Sequence, residues 1–133
     1  MTQRQRPEFE DLYARPQTEA DLAVEREVYG ANVGVRGYTT LDQADALAER
    51  LALRPGTRLL DIGAGRGWPG LYLARQSGCE VVLTDTPAPA LLTAAEGARR
   101  LRLWERSSFL LASGTRLPFR PRAFDAIVHT DVL

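Results

Sequence analysis

The chain contains no lysine: all 17 of its basic residues are arginine. That absence excludes Schiff-base chemistry and a lysine general base. It has one cysteine, so no intrachain disulfide forms, and Cys79, just ahead of an apolar run, reads as a small packing residue. Cysteine usage this low fits a reducing cytoplasm. His129 is the single histidine, so no Cys/His metal cluster is expected and no metal is assigned. The 17 basic and 17 acidic residues cancel. Nucleic-acid binding, which needs a basic face, is therefore not expected. No apolar run approaches the roughly 20 residues of a membrane span. The N-terminal MTQRQRPEFEDLY lacks the apolar core of a signal peptide. A cytoplasmic protein without membrane contact is the expectation.

What the chain does have is a globular composition. It is 133 residues long, 44% hydrophobic and 26% charged, the profile of one small folded domain. Residues 1–16 are polar, carry Pro7 and Pro16, and read as a loose arm. Thr18 with Asp21 marks a helix start, and that helix reaches about Tyr29. A glycine-containing loop from Gly30 to Gly37 follows. Thr39-Thr40, supported by Asp42 and Gln43, caps a second helix bearing Leu41, Ala44, Leu47, Ala48 and Leu51 at helical spacing.

Strands and helices then alternate. Strands are predicted over Arg58–Ile62, Glu80–Asp85, about Ser108–Ala112, and Phe124–Thr130. One helix runs from about Pro69 to Ser77, stopped by Gly78; another follows Pro87 and Pro89 with Leu91, Leu92, Ala95 and Ala98. This rhythm predicts an α/β fold, a Rossmann-like, doubly wound, mostly parallel sheet with N-terminal helices. Val81-Val82-Leu83 and Ala126-Ile127-Val128 are continuous apolar runs, the pattern of strands covered on both faces. The organisation divides into residues 1–39, an arm and helix that act as a lid, and residues 40–133, the Rossmann-like domain. Because the last strand would be an apolar sheet edge, the chain is expected to be C-terminally truncated, or to pair that edge in a homo-oligomer.

The most informative stretch is Arg58-Leu59-Leu60-Asp61-Ile62-Gly63-Ala64-Gly65-Arg66-Gly67-Trp68, an apolar strand followed by alternate glycines and a helix start. Glycines let backbone approach a ligand, and a helix start offers free N–H groups. Two registers exist. Gly65-x-Gly67-x-x-Gly70 matches the dinucleotide fingerprint, but it begins two residues after the strand's end, and Pro69 lacks the N–H a pyrophosphate needs. In Asp61-x-Gly63-x-Gly65-x-Gly67 the carboxylate is better suited to a cationic ligand.

The second register resembles motif I of the class I S-adenosylmethionine-dependent methyltransferases, over LLDIGAGRGWPGLYLA. Val81–Asp85 resembles the family's second strand, ending in the acidic residue that binds ribose hydroxyls. Leu117-Pro118-Phe119 with Phe124–Val128 resembles its LPF…FDxVx segment, and Leu53–Arg58 its lead-in to motif I. The resemblance covers about residues 40–133. It implies methyl transfer from S-adenosyl-L-methionine to a small-molecule acceptor. It also implies cofactor contacts from Asp61, Gly63, Ala64, Gly65, Asp85, Thr86, Ser113, Gly114 and His129. Ser113 stands where the family often has Asp.

Asp61 reads either as a direct cofactor contact or as a loop-ordering residue, and Thr86 as an adenine contact or a turn residue. Trp68 reads as a packing residue, with cation–π contact to the sulfonium the other reading. Tyr38 is the lid candidate, flanked by Tyr29 and Arg36. His129 is a weak candidate for the general base, and Asp131 has similar standing. Trp104 and Tyr72 carry no specific signal. Arg99, Arg100, Arg102 and Arg106 read as a solvated helix face. The alternative functions are a non-catalytic cofactor-binding or regulatory fragment and an NAD(P)-dependent oxidoreductase.

Overall fold

The computed structural model describes residues 18–20, 23, 26 and 39–130. Residues 19, 20, 23 and 26 are helical and exposed, inside the helix predicted from Thr18. The arm, the glycine-containing loop, Tyr29, Arg36, Tyr38 and Asp131 lie outside the described residues.

Helix α1 (Leu41–Arg50) starts where its cap predicts. Thr40 Oγ1 accepts from the Gln43 N–H at 3.2 Å, and Gln43 Oε1 accepts from the Thr40 N–H at 2.9 Å. This reciprocal pair satisfies two donors that a helix start would otherwise leave open. Strand β1 (Arg58–Ile62) leads to α2 (Gly70–Ser77), β2 (Glu80–Asp85) and α3 (Ala88–Arg100). A short 3-10 turn at Trp104–Arg106 then precedes β3 (Ser107–Leu111), and β4 (Ala126–Val128) closes the series. Gly78 ends α2 in the left-handed region, at φ 79°, and its N–H donates to the Ala74 carbonyl. Pro69 is the residue before α2 rather than its first helical position. Pro87 caps α3, and Pro89 falls in its first turn, where a missing N–H costs nothing.

The four strands form one parallel sheet in the order β3-β2-β1-β4. The chain moves outward through β2 and β3, then returns to the other side of β1. The strand order therefore reverses between β1 and β4, and in open parallel sheets ligands bind beyond the strand C-termini at such a point. Leu59, Val81, Leu83, Ala126 and Val128 share one core with residues of all three helices, including Ala44, Leu71, Leu73, Leu91, Ala94 and Ala98. Burial of this shared face holds the helices on the sheet. Cys79 is buried in the same core, as its packing role predicts.

Three details differ from expectation. Strand β4 is shorter than Phe124–Thr130. At its start, the Asp125 carboxylate, in place of a main-chain carbonyl, accepts from the Arg58 N–H at 2.8 Å. Phe124 meets Phe119 edge-on at 4.9 Å. At its other end the last pair is Asp61↔Val128, because β1 turns away at Gly63, φ 69°. Strand β3 lies one residue earlier than predicted, although the Ala112 N–H still reaches the Asp85 carbonyl at 3.0 Å. The third difference concerns cover. Leu60, Val82 and Ile127 lie side by side on the second face, where Leu60 and Val82 are buried but Ile127 is 56% exposed. The reading of β4 as covered on both faces fails at Ile127.

Candidate cofactor site

The loop from Gly63 to Gly67 crosses the C-terminal end of β1. Gly63, Gly65 and Gly67 have φ of 69°, 57° and 104°, a region that side chains with a Cβ rarely adopt. The loop is held by backbone at both ends. Ala64 N–H donates to the Thr84 carbonyl, Gly67 N–H to the Ala64 carbonyl, and Leu71 N–H to the Gly67 carbonyl, all within 2.9 Å. A side chain at Gly67 would put its Cβ 2.5 Å from Leu71 Cδ1.

Two carboxylates flank this loop. Asp61 is 1% exposed and faces α2, where Oδ2 accepts from the Gly70 N–H at 3.0 Å. It thus serves the first open donor of that helix. Burial pushes its carboxyl well above the usual carboxylate range; the Gly70 N–H opposes this, and the nearby Asp85 adds a smaller upward push. Through the Gly70 N–H, Asp61 ties the end of β1 to the start of α2.

Asp85, at the end of β2, is half-buried. Its Oδ2 accepts from the Gly65 N–H at 2.8 Å and its Oδ1 from the Thr86 N–H at 2.7 Å. Each oxygen has two lone pairs, so the carboxylate retains capacity for two further donors. That remaining capacity suits a ligand with vicinal hydroxyls.

The structure brings Asp61, Gly63, Ala64, Gly65, Asp85 and Thr86 together around the ends of β1 and β2. Thr86 is exposed there. Ser113 and Gly114 stand in the turn after β3. That turn comes back over β1, since a Cβ on Gly114 would lie 3.0 Å from Ile62 Cγ2. Ser113 Oγ is 2.8 Å from Thr115 Oγ1 and is exposed. His129 is exposed just past β4, across the switch point from the glycine loop.

Sequence reasoning missed several residues. Arg66, which it gives no role, is 3% exposed within the loop. Tyr72 is also more than filler: its hydroxyl bonds to Asp45 Oδ1 on α1 at 2.5 Å. The ring of Trp68 is buried against Tyr72, with centroids 5.2 Å apart, and its indole N–H donates to the Thr39 carbonyl at 2.9 Å. The packing reading of Trp68 is the one this geometry shows. Trp68 lies in the turn before α2 and Tyr72 inside it, so helical spacing alone does not pair them. Arg106 departs from the solvated group: Nη1 donates to the Ala74 and Cys79 carbonyls. Trp104 lies under the Arg99 guanidinium, 4.3 Å from the ring centroid. With Leu92 and Leu111 it lines an open apolar cleft of about 550 Å³ between α3 and β3.

Fold and loop together define a Rossmann-like domain with a glycine loop across the C-terminal end of β1. The methyltransferase domain family matches residues 59–133, and the chain belongs to it, within the class I S-adenosylmethionine-dependent enzymes. The chain is 36% identical over 83 residues to methyltransferase GfsG of Streptomyces halstedii, covering 62% of this chain and 30% of that protein. It is 32% identical over 111 residues to 27-O-demethylrifamycin SV methyltransferase of Amycolatopsis mediterranei, covering 76% of this chain and 40% of that one. The geranyl diphosphate C-methyltransferase of Streptomyces coelicolor, solved with Mg2+, geranyl diphosphate and S-adenosyl-L-homocysteine, superposes with a TM-score of 0.61. It is 26% identical and matches 66% of this chain and 33% of its own. This chain thus spans well under half the length of these relatives. S-Adenosylmethionine is the cofactor of the class. Among the described residues no helix is long and apolar enough to cross a membrane.

Proposed function

We propose that the chain binds S-adenosyl-L-methionine in the crevice between the glycine loop and Asp85, and serves methyl transfer to a small-molecule acceptor in the cytoplasm. The observation that carries this reading is the docking of the Gly65 N–H on Asp85 at the end of β2. A hydroxyl-accepting carboxylate and a loop of left-handed glycines are thereby fixed against each other. The named relatives that act on small molecules support the acceptor class.

S-Adenosylmethionine, when bound, supplies an electrophilic methyl group on a sulfonium. The chain's own residues then have distinct tasks. Asp85 accepts the two ribose hydroxyls through its remaining lone pairs. Gly63 and Gly65 let the backbone approach the methionyl portion, and Ala64 is anchored on β2. Asp61 steadies the loop from beneath by holding Gly70. Ser113 and Gly114 border the adenine side. His129, across the switch point, takes a proton from an oxygen or nitrogen acceptor that must lose one. Most of the rate acceleration comes from alignment, because a methyl displacement needs its partners in line and water excluded. Residues 40–133 form the cofactor domain.

Calorimetric titration with S-adenosyl-L-homocysteine and, separately, with NAD tests the reading. Micromolar binding of the first and none of the second is expected. Binding of NAD alone overturns it.

A further inference from the structure

Trp68 and Tyr72 do more than fill the core. Trp68 follows the last glycine of the loop and is 4% exposed. Its indole N–H donates to the main-chain carbonyl of Thr39, the residue immediately before the Thr40 cap of α1. One turn on, the Tyr72 hydroxyl bonds to Asp45 in the first half of α1. The two rings touch, with centroids 5.2 Å apart. Two adjacent aromatic residues at the foot of the glycine loop therefore grip the start of α1 at two points.

This grip has a direction. Trp68 is covalently continuous with Gly67, whose carbonyl and N–H both hold the loop's fold. Thr39 lines a cleft of about 370 Å³ with Gln43, Leu47, Arg50 and Thr130, the residue after His129. The indole N–H thus links the end of the loop to the Thr39 carbonyl and to one wall of that cleft. Packed interiors transmit shifts rather than absorb them.

We infer that Trp68 is a positioning residue that couples occupancy of the glycine loop to the start of α1 at Thr39, with Tyr72 as its second anchor. The inference rests on the cofactor reading above. Since Trp68 and Trp104 are the only tryptophans, Trp104→Phe leaves Trp68 as the sole reporter.

The experiment titrates S-adenosyl-L-homocysteine into three proteins: wild type, Trp104→Phe and Trp68→Phe. Binding is followed by calorimetry and the thermal midpoint is measured with and without ligand. In Trp104→Phe, saturation is expected to shift or quench the Trp68 emission. In Trp68→Phe, which keeps a ring but loses the donor, the dissociation constant is expected to rise about tenfold and the ligand-induced rise in thermal midpoint to shrink. A merely structural role lowers the ligand-free midpoint but leaves the affinity unchanged. An affinity within twofold of wild type, or an emission blind to saturating ligand in Trp104→Phe, overturns the inference. If Trp68→Phe does not fold, the emission of Trp104→Phe decides alone. Failure of wild type to bind the ligand would instead strike the cofactor reading, so the two failures are distinguishable.

Discussion

The middle of the sheet and its outer strands are built to different standards. Around β1, its loop and β2, polar groups are matched: Asp61 with Gly70, Asp85 with Gly65 and Thr86, Ala64 with Thr84. At the outer strands apolar side chains stay in the open. Leu92, Trp104 and Leu111 lie exposed around β3, and Ile127 on β4. The contrast teaches where the chain is self-sufficient. The crevice that would grip a cofactor is completed by residues within a few turns of one another. The outer strands leave surface for other contacts to finish.

Substitutions that break the central network should therefore cost most. In Gly70→Ala the new Cβ falls on the Asp61 carboxylate. A destabilisation of about 2–3 kcal/mol, the scale of overpacking at a buried site, is expected in denaturant unfolding. Next comes Asp85→Ala, which should weaken S-adenosyl-L-homocysteine by about 1.5–3 kcal/mol, the value of hydrogen bonds to a charged acceptor. Tyr72→Phe removes a partly buried bond to Asp45 and should lower stability by about 1 kcal/mol. At the periphery, Leu111→Thr should change stability by no more than about 0.5 kcal/mol, since its side chain is 57% exposed. A loss at Leu111 as large as that at Gly70 would erase the contrast.

Asp61 sharpens the comparison through pH. Its folded-state affinity for a proton is raised above the unfolded value, chiefly by burial. Stability from this group is then fully present below the unfolded pKa. It is lost as pH rises through the folded one. Asp61→Asn keeps an oxygen for the Gly70 N–H without the buried charge. The difference in thermal midpoint between this variant and wild type should grow in the variant's favour as pH rises from about 4, then level off. A difference that is flat with pH would place the Asp61 carboxylate in a more solvated setting than the one described.

Much of this arrangement was legible in the sequence, because it is carried by local signals. The Thr40–Gln43 cap, Gly78 at the end of α2, and the alternate glycines each act over a few residues. The placement of Asp85 at a strand end beside the glycine loop was legible through the resemblance of Val81–Asp85 to the family's second strand. What was not legible depends on distant partners. Whether Asp61 faces the ligand or α2 depends on Gly70 approaching from the next helix. The length of β4 depends on where β1 turns away. Arg106 looks like its exposed neighbours until the carbonyls of Ala74 and Cys79 are brought beside it. Trp68 and Tyr72 acquire their role only when α1 packs on α2.

The central claim is that the Gly63–Gly67 loop and Asp85 together hold the S-adenosyl group. Its most direct test is calorimetry of S-adenosyl-L-homocysteine binding to wild type and Asp85→Ala under one buffer condition. One micromolar site in wild type, weakened at least tenfold in the folded variant, is the predicted result. No binding to wild type, or an unchanged dissociation constant in Asp85→Ala, would contradict it.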